Sequence, residues 1–269
     1  MATLTIDRGL APDAGARPGD LAQRGAAWLG EHPLAERALI AVTVTTLWTG
    51  GYHLIGWRTD PTRATSLATG LDRAIPFVPE SVYLYGLVYG AALYPLFALR
   101  SRRLLHRTTL SYLLVIGASF GCFALFPVTC ASLRPPLEAL DERTLHGWAL
   151  RLIYTLDPPT NLFPSLHVGL AAIGAASVRR ASRGHGWLAG SIVAATVVSV
   201  CTVKQHFVVD AVAALAVVAL VDDRVLRPFR ADPREGPLAF SWRAAAGYLA
   251  FQAGLYGLCG LAFSSGVRV

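Results

Sequence analysis

The chain has 269 residues, 54% of them hydrophobic and only 15% charged, and its mean hydropathy is +0.46. A soluble domain usually carries about 25% charged residues, so the composition argues for a membrane protein and against an ordinary soluble one. The net charge of +7 balances 23 Arg and a single Lys, Lys204, against 17 Asp and Glu; the arginines sit in short loops between apolar blocks, which fits membrane orientation better than nucleic-acid binding.

Residues 1–34 are expected to form a cytoplasmic N-terminal tail. Positions 1–19 are rich in Ala, Gly, Asp, Arg and Pro, hold no hydrophobic run and predict disorder, and no signal peptide is visible. Positions 20–30 predict an interfacial helix. Apolar blocks then follow at 38–57, 82–99, 109–128, 162–178, 187–203, 207–222 and 244–264. A helix needs roughly 20 apolar residues to cross a bilayer, so these blocks predict an all-α, polytopic transmembrane bundle. Residues 35–222 form its six-span core, and residues 223–269 add a basic cytoplasmic loop and a seventh span.

Arginine placement predicts the orientation. Arg100, Arg102, Arg103 and Arg107, then Arg179, Arg180 and Arg183, then Arg224, Arg227, Arg230 and Arg234 mark alternate loops. The positive-inside rule puts those loops in the cytoplasm with the N-terminus. Segments 58–81, 129–161 and 204–206 then face the outside. The long loop 129–161 is a candidate for function on length alone. Trp48, Trp57, Tyr83 and Tyr85 are most simply an aromatic belt. Cys122, Cys130, Cys201 and Cys259 form no CxxC pair, and most lie in or beside apolar blocks, as small hydrophobes do.

Two polar clusters interrupt the ends of apolar blocks on the same predicted side. The first is Asn161-Leu-Phe-Pro-Ser-Leu-His167-Val, and the second is Lys204-Gln-His206-Phe-Val-Val-Asp210. Ionisable groups beside membrane spans are expensive and point to a functional site. His206 and Asp210 are four apart, so a helix would put them on one face, with Asp210 orienting the ring and leaving its other nitrogen free to attack. Pro164 and Ser165 suit a helix start, whose unpaired N–H groups favour an anion. Lys204 and Arg134 would add positive charge.

The stretches Phe163-Pro-Ser-Leu-His-Val168 and Lys204-Gln-His-Phe-Val-Val-Asp210 resemble the second and third motifs of the PAP2 superfamily, the type 2 phosphatidic acid phosphatases. Asp72-Arg-Ala-Ile-Pro-Phe-Val-Pro79 with Tyr83 resembles the branch related to inositol phosphorylceramide synthase, and Phe126-Pro-Val128 with Arg134-Pro135 resembles the first phosphate-binding motif. The resemblance spans about 35–222. It implies a metal-independent reaction without a cofactor, in which His206 attacks phosphorus, Asp210 orients it and His167 protonates the leaving group. It gives Lys204, Ser165 and Arg134 to the substrate phosphate. It also implies a lipid phosphate ester in the outer leaflet of a cell membrane as substrate. The chain departs from the broad family at Leu166, where Gly is common, at Val200, where Arg often follows the Ser, and at Pro127, where Lys is common.

Other readings compete. A His, His, Asp set is able to bind zinc, although flanking Lys and Arg favour an anion. A transporter would hold its polar groups deep in the spans rather than at their outer ends. A catalytically dead lipid-binding scaffold would not need His167, His206 and Asp210 together. Whether water or an alcohol acceptor takes the phosphoryl group, and the oligomeric state, stay open.

Overall fold

The computed structural model describes residues 18–230 and 241–268, and all of its regular elements among these are helical. The expected tail at 1–19 lies almost wholly outside the described residues, as does much of the loop before the last helix. The predicted interfacial helix corresponds to α1, Pro18–Glu31.

The chain continues through α2 (Pro33–Arg58), the short α3 (Gly70–Ala74), α4 (Val82–Tyr85) and α5 (Leu87–Ala98) to α6 (Arg102–Leu125). Next come α7 (Leu145–Leu156), α8 (Leu166–Ala181), α9 (Arg183–Thr202), α10 (Val208–Val221) and α11 (Trp242–Ser264). Side-chain oxygens set several starts. Ser101, Thr144, Ser165 and Ser241 accept from backbone N–H groups in the first turns of α6, α7, α8 and α11. On α3, Thr69 and Asp72 form a reciprocal capping box.

Among the described residues, five segments are long and apolar enough to cross a membrane: Pro33–Arg58, Pro79–Ala98, Arg102–Leu125, Arg183–Thr202 and Trp242–Ser264. The blocks predicted at 162–178 and 207–222 become α8 and α10, of 16 and 14 residues. At 1.5 Å per residue they fall short of a roughly 30 Å hydrocarbon core. The deficit is tolerable because α8 is packed against α5, α6, α9 and α10, and most of its length is buried. A π-helical turn, Asp222–Leu226, extends α10. Arg180 grips Asp222 through both carboxylate oxygens at 2.7 Å, and Arg107 donates to the Val225 carbonyl at 2.7 Å. These bonds tie α6, α8 and α10 together at the end of α8 away from Ser165.

At the Ser165 end, three loops lie side by side. Thr65 bridges to Val128 and Val128 to Asn161, both in parallel pairings. Asn161 Nδ2 donates to the Tyr52 carbonyl at 2.6 Å, joining this layer to α2.

Candidate active site

The second polar cluster is shaped by a tight reversal between α9 and α10. Lys204 takes a left-handed conformation, with φ of 55°. The N–H groups of Gln205 and His206 then both donate to the Val200 carbonyl at 2.9 Å. This places His206 just before α10 and Asp210 in its first turn. The expected pairing is present, but through a helix cap rather than along one helix face. Asp210 Oδ2 accepts from the Phe207 N–H at 2.9 Å and faces His206 Nδ1 at 3.3 Å. Ser165 N–H donates to the Asp210 carbonyl at 3.0 Å, which fixes the first cluster against the second.

His167, on the first turn of α8, then meets His206: its Nδ1 lies 3.3 Å from His206 Nε2. Its other nitrogen, Nε2, lies 2.8 Å from the Tyr85 hydroxyl, which in turn donates to Asp157 Oδ2 at 2.9 Å. Gln205 Nε2 donates to the same Asp157 oxygen at 3.0 Å, and Arg134 donates to Gln205 Oε1. The Arg134 guanidinium also lies over the Tyr154 ring, 4.7 Å from its centroid, a cation–π contact. His167, His206, Asp210, Ser165 and Arg134 thus belong to one connected network.

Lys204 does not join it. Its ammonium donates to the backbone carbonyls of Asp72 at 2.9 Å and Ile75 at 2.5 Å. Asp72 Oδ1 accepts from the Val208 N–H at 2.8 Å, capping α10 from a distant loop. The lysine therefore anchors the loop that supports α10, and its charge is committed to carbonyls rather than held open for a phosphate.

Tyr85 and Asp157 were not singled out as site residues by the sequence. Tyr85 is fully buried rather than part of an interfacial belt. Asp157 ends α7, and burial pushes its carboxyl above the usual carboxylate range, against the opposing pull of the Tyr85 hydrogen bond and Arg134. The signal in the sequence was only an acidic residue in a long loop, four residues before Asn161.

Counting hydrogens along Asp157–Tyr85–His167–His206–Asp210 shows what the row can do. With Asp210 ionised and every contact made, His206 Nδ1 donates to Asp210. Tyr85 owns one hydroxyl hydrogen. Either it donates to Asp157 and accepts from His167 Nε2–H, or it donates to that nitrogen and accepts from a protonated Asp157. In both cases His167 Nδ1–H donates to His206 Nε2, whose lone pair is kept. Moving the same proton onward to His206 Nε2 gives the third arrangement. The row holds one mobile proton, and its two Asp157-side placements leave a lone pair on His206 Nε2.

A family model described as the PAP2 superfamily matches residues 57–221, more than half of the chain. No curated protein and no solved structure matches.

Proposed function

Because the chain belongs to the PAP2 superfamily, we propose that it is a membrane phosphoesterase or phosphotransferase acting on lipid phosphate esters through a phosphohistidine. The observation that carries this reading is the row of His167 Nδ1, His206 Nε2, His206 Nδ1 and Asp210 Oδ2, with 3.3 Å at each contact. Asp210 holds the His206 tautomer, so Nε2 attacks phosphorus as the ester P–O bond breaks. His167 Nδ1 gives its proton to the departing oxygen. Water, or an acceptor alcohol, then gives its proton to His167 Nδ1 and attacks phosphorus as the P–N bond breaks, which restores His206 Nε2.

Tyr85 and Asp157 complete the proton path. As His167 Nδ1 loses its proton to the leaving oxygen, Nε2 takes the Tyr85 hydrogen and Tyr85 takes the Asp157 proton. The three groups end as ionised Asp157, neutral Tyr85 and neutral His167, so charge and hydrogens balance. Arg134 and the N-terminus of α8 at Ser165 are the groups assigned to the phosphoryl oxygens, by charge and by helix field. Lys204 acts one step back, through the loop it anchors. The positive-inside rule, applied to the arginine-rich loops, favours a catalytic end outside and an N-terminal tail inside. Residues 35–222 form the catalytic core, with the seventh span beyond it.

Hydrolysis and transfer share the first step, and the resemblance of the 72–83 stretch to synthase-like chains favours transfer. The test is incubation of purified protein with lipid phosphates in chelator, with and without alcohol acceptors. Free phosphate marks a hydrolase, and a new phosphate ester of the added alcohol marks a transferase. The reaction should survive chelator and vanish in His206→Ala; full activity in that variant would sink the assignment.

A further inference from the structure

A cavity of about 530 Å³ opens beside the proposed proton donor, within the roughly 300–1,000 Å³ of small-molecule sites. Its walls come from α2, the α4–α5 segment, α7 and α11, and His53, Asp157 and His167 are among its polar lining. The remaining lining is largely aromatic and aliphatic, including Tyr52, Tyr89, Ile153 and Leu255. His206 is not among the lining residues. Two wall residues, Tyr83 and Leu156, are 38% and 56% exposed on the outside of the helices.

The wall from α11 is held in place by specific bonds. Tyr248, Gln252 and Tyr256 recur every four residues, so they share one face of the helix. Tyr248 donates to the Leu87 carbonyl at 3.4 Å, Gln252 to the Gly86 carbonyl at 3.0 Å, and Tyr256 to the Tyr83 carbonyl. These carbonyls lie at the break between α4 and α5. Gly86 and Gly90 make the approach possible, in the small-xxx-small manner of membrane helices. A Cβ on Gly90 would come within 2.7 Å of the Tyr248 ring and 2.8 Å of Gln252 Oε1. Both α11 and the lining part of α2 lie outside the 57–221 family match.

We propose that this cavity holds the hydrocarbon chain of the leaving alcohol, with α11 as one wall of the tail site. The substrate would then be a phosphate ester whose lipid part is the group released. The inference rests on the phosphoryl-transfer reading above. In that reaction the nucleophile and the leaving oxygen lie on opposite sides of phosphorus. The cavity touches the residue that protonates the leaving oxygen and does not touch the nucleophile. An apolar chain attached to that oxygen therefore enters the cavity, and its burial removes apolar surface from water.

The experiment compares decyl phosphate with methyl phosphate on the full chain in phosphatidylcholine nanodiscs. The expected kcat/KM is at least about tenfold higher for the decyl ester. Cys259→Phe and Leu255→Trp fill the cavity and should bring that ratio toward one. Leu258→Phe, on an exposed part of α11, should keep it. In parallel, decyl phosphate carrying a diazirine at its chain end should label α7 and α11 of the wild-type protein. A wild-type ratio in both filling variants, or labelling confined to other helices, overturns the proposal. Should neither filling variant fold, the labelling decides alone. If neither ester is cleaved but α11 is labelled, the reaction falls and the tail site stands. If both esters are cleaved equally and α11 is unlabelled, the reaction stands and the tail site falls.

Discussion

Tyr85 sets its hydroxyl 2.8 Å from Nε2 of His167, on the ring nitrogen that does not face His206. The hydroxyl links that nitrogen to Asp157. Tyr85→Phe keeps the ring and cuts the proton path. It should lower kcat on an alkyl phosphate by about 10²-fold, the low end of general-acid contributions. On 4-nitrophenyl phosphate, whose leaving group departs without a proton, the loss should be far smaller. Equal losses on both substrates would show that Tyr85 only supports packing.

Asp157 gives a prediction with a sign. Burial raises its carboxyl in the folded protein above its unfolded value of about 3.9. A raised group favours the fold fully below the unfolded value, and that contribution is lost as pH rises through the folded one. Asp157→Asn cannot ionise and escapes the loss. The difference in Tm, variant minus wild type, should therefore become more positive as pH rises from about 4 to about 8. A difference that stays flat over this window would mean that the carboxyl is not destabilised by its surroundings.

Much of this arrangement was legible in the sequence because its parts are local. Apolar blocks gave the helices, and the short spacings Ser165 to His167 and His206 to Asp210 gave the centre of the site. What was hidden depends on contacts between distant segments. Tyr85 looked like any aromatic residue near a span end, and only the packing of α4 against α7 and α9, and of α5 against α8, buries it beside a residue 82 positions away. The destination of the Lys204 amine depends on a left-handed residue and on a loop 129 to 132 positions earlier. The shortness of α8 and α10 was legible too, because the blocks at 162–178 and 207–222 already fall short of a full span.

The position of Lys204 separates a structural from a ligand role. Its ammonium bonds two carbonyls in a buried setting, and hydrogen bonds to charged groups contribute about 1.5–3 kcal/mol each. Lys204→Met should destabilise the protein by about 2–4 kcal/mol, seen as a lower Tm. KM for a phosphate ester should change by less than about threefold in the folded fraction. A large rise in KM with an unchanged Tm would instead put the amine on the substrate phosphate.

Gly90 tests how α11 is held. The helix brings Tyr248 and Gln252 close enough that any side chain at position 90 meets them. Gly90→Val should therefore push α11 off α5 and cost about 1–3 kcal/mol, the usual range for overpacking. The Gln252–Gly86 and Tyr256–Tyr83 bonds should weaken together, since all three side chains share one helix face. Hydrogen exchange would then rise over residues 242–264 while α8 and α9 keep their protection. Gly254, around which no atom would meet a Cβ within 4 Å, is the control on the same helix. Gly254→Ala should leave the Tm unchanged or slightly higher, because Ala is the better helix former by about 1 kcal/mol. Matching losses in the two variants would mean that the α11 interface does not depend on close approach at Gly90.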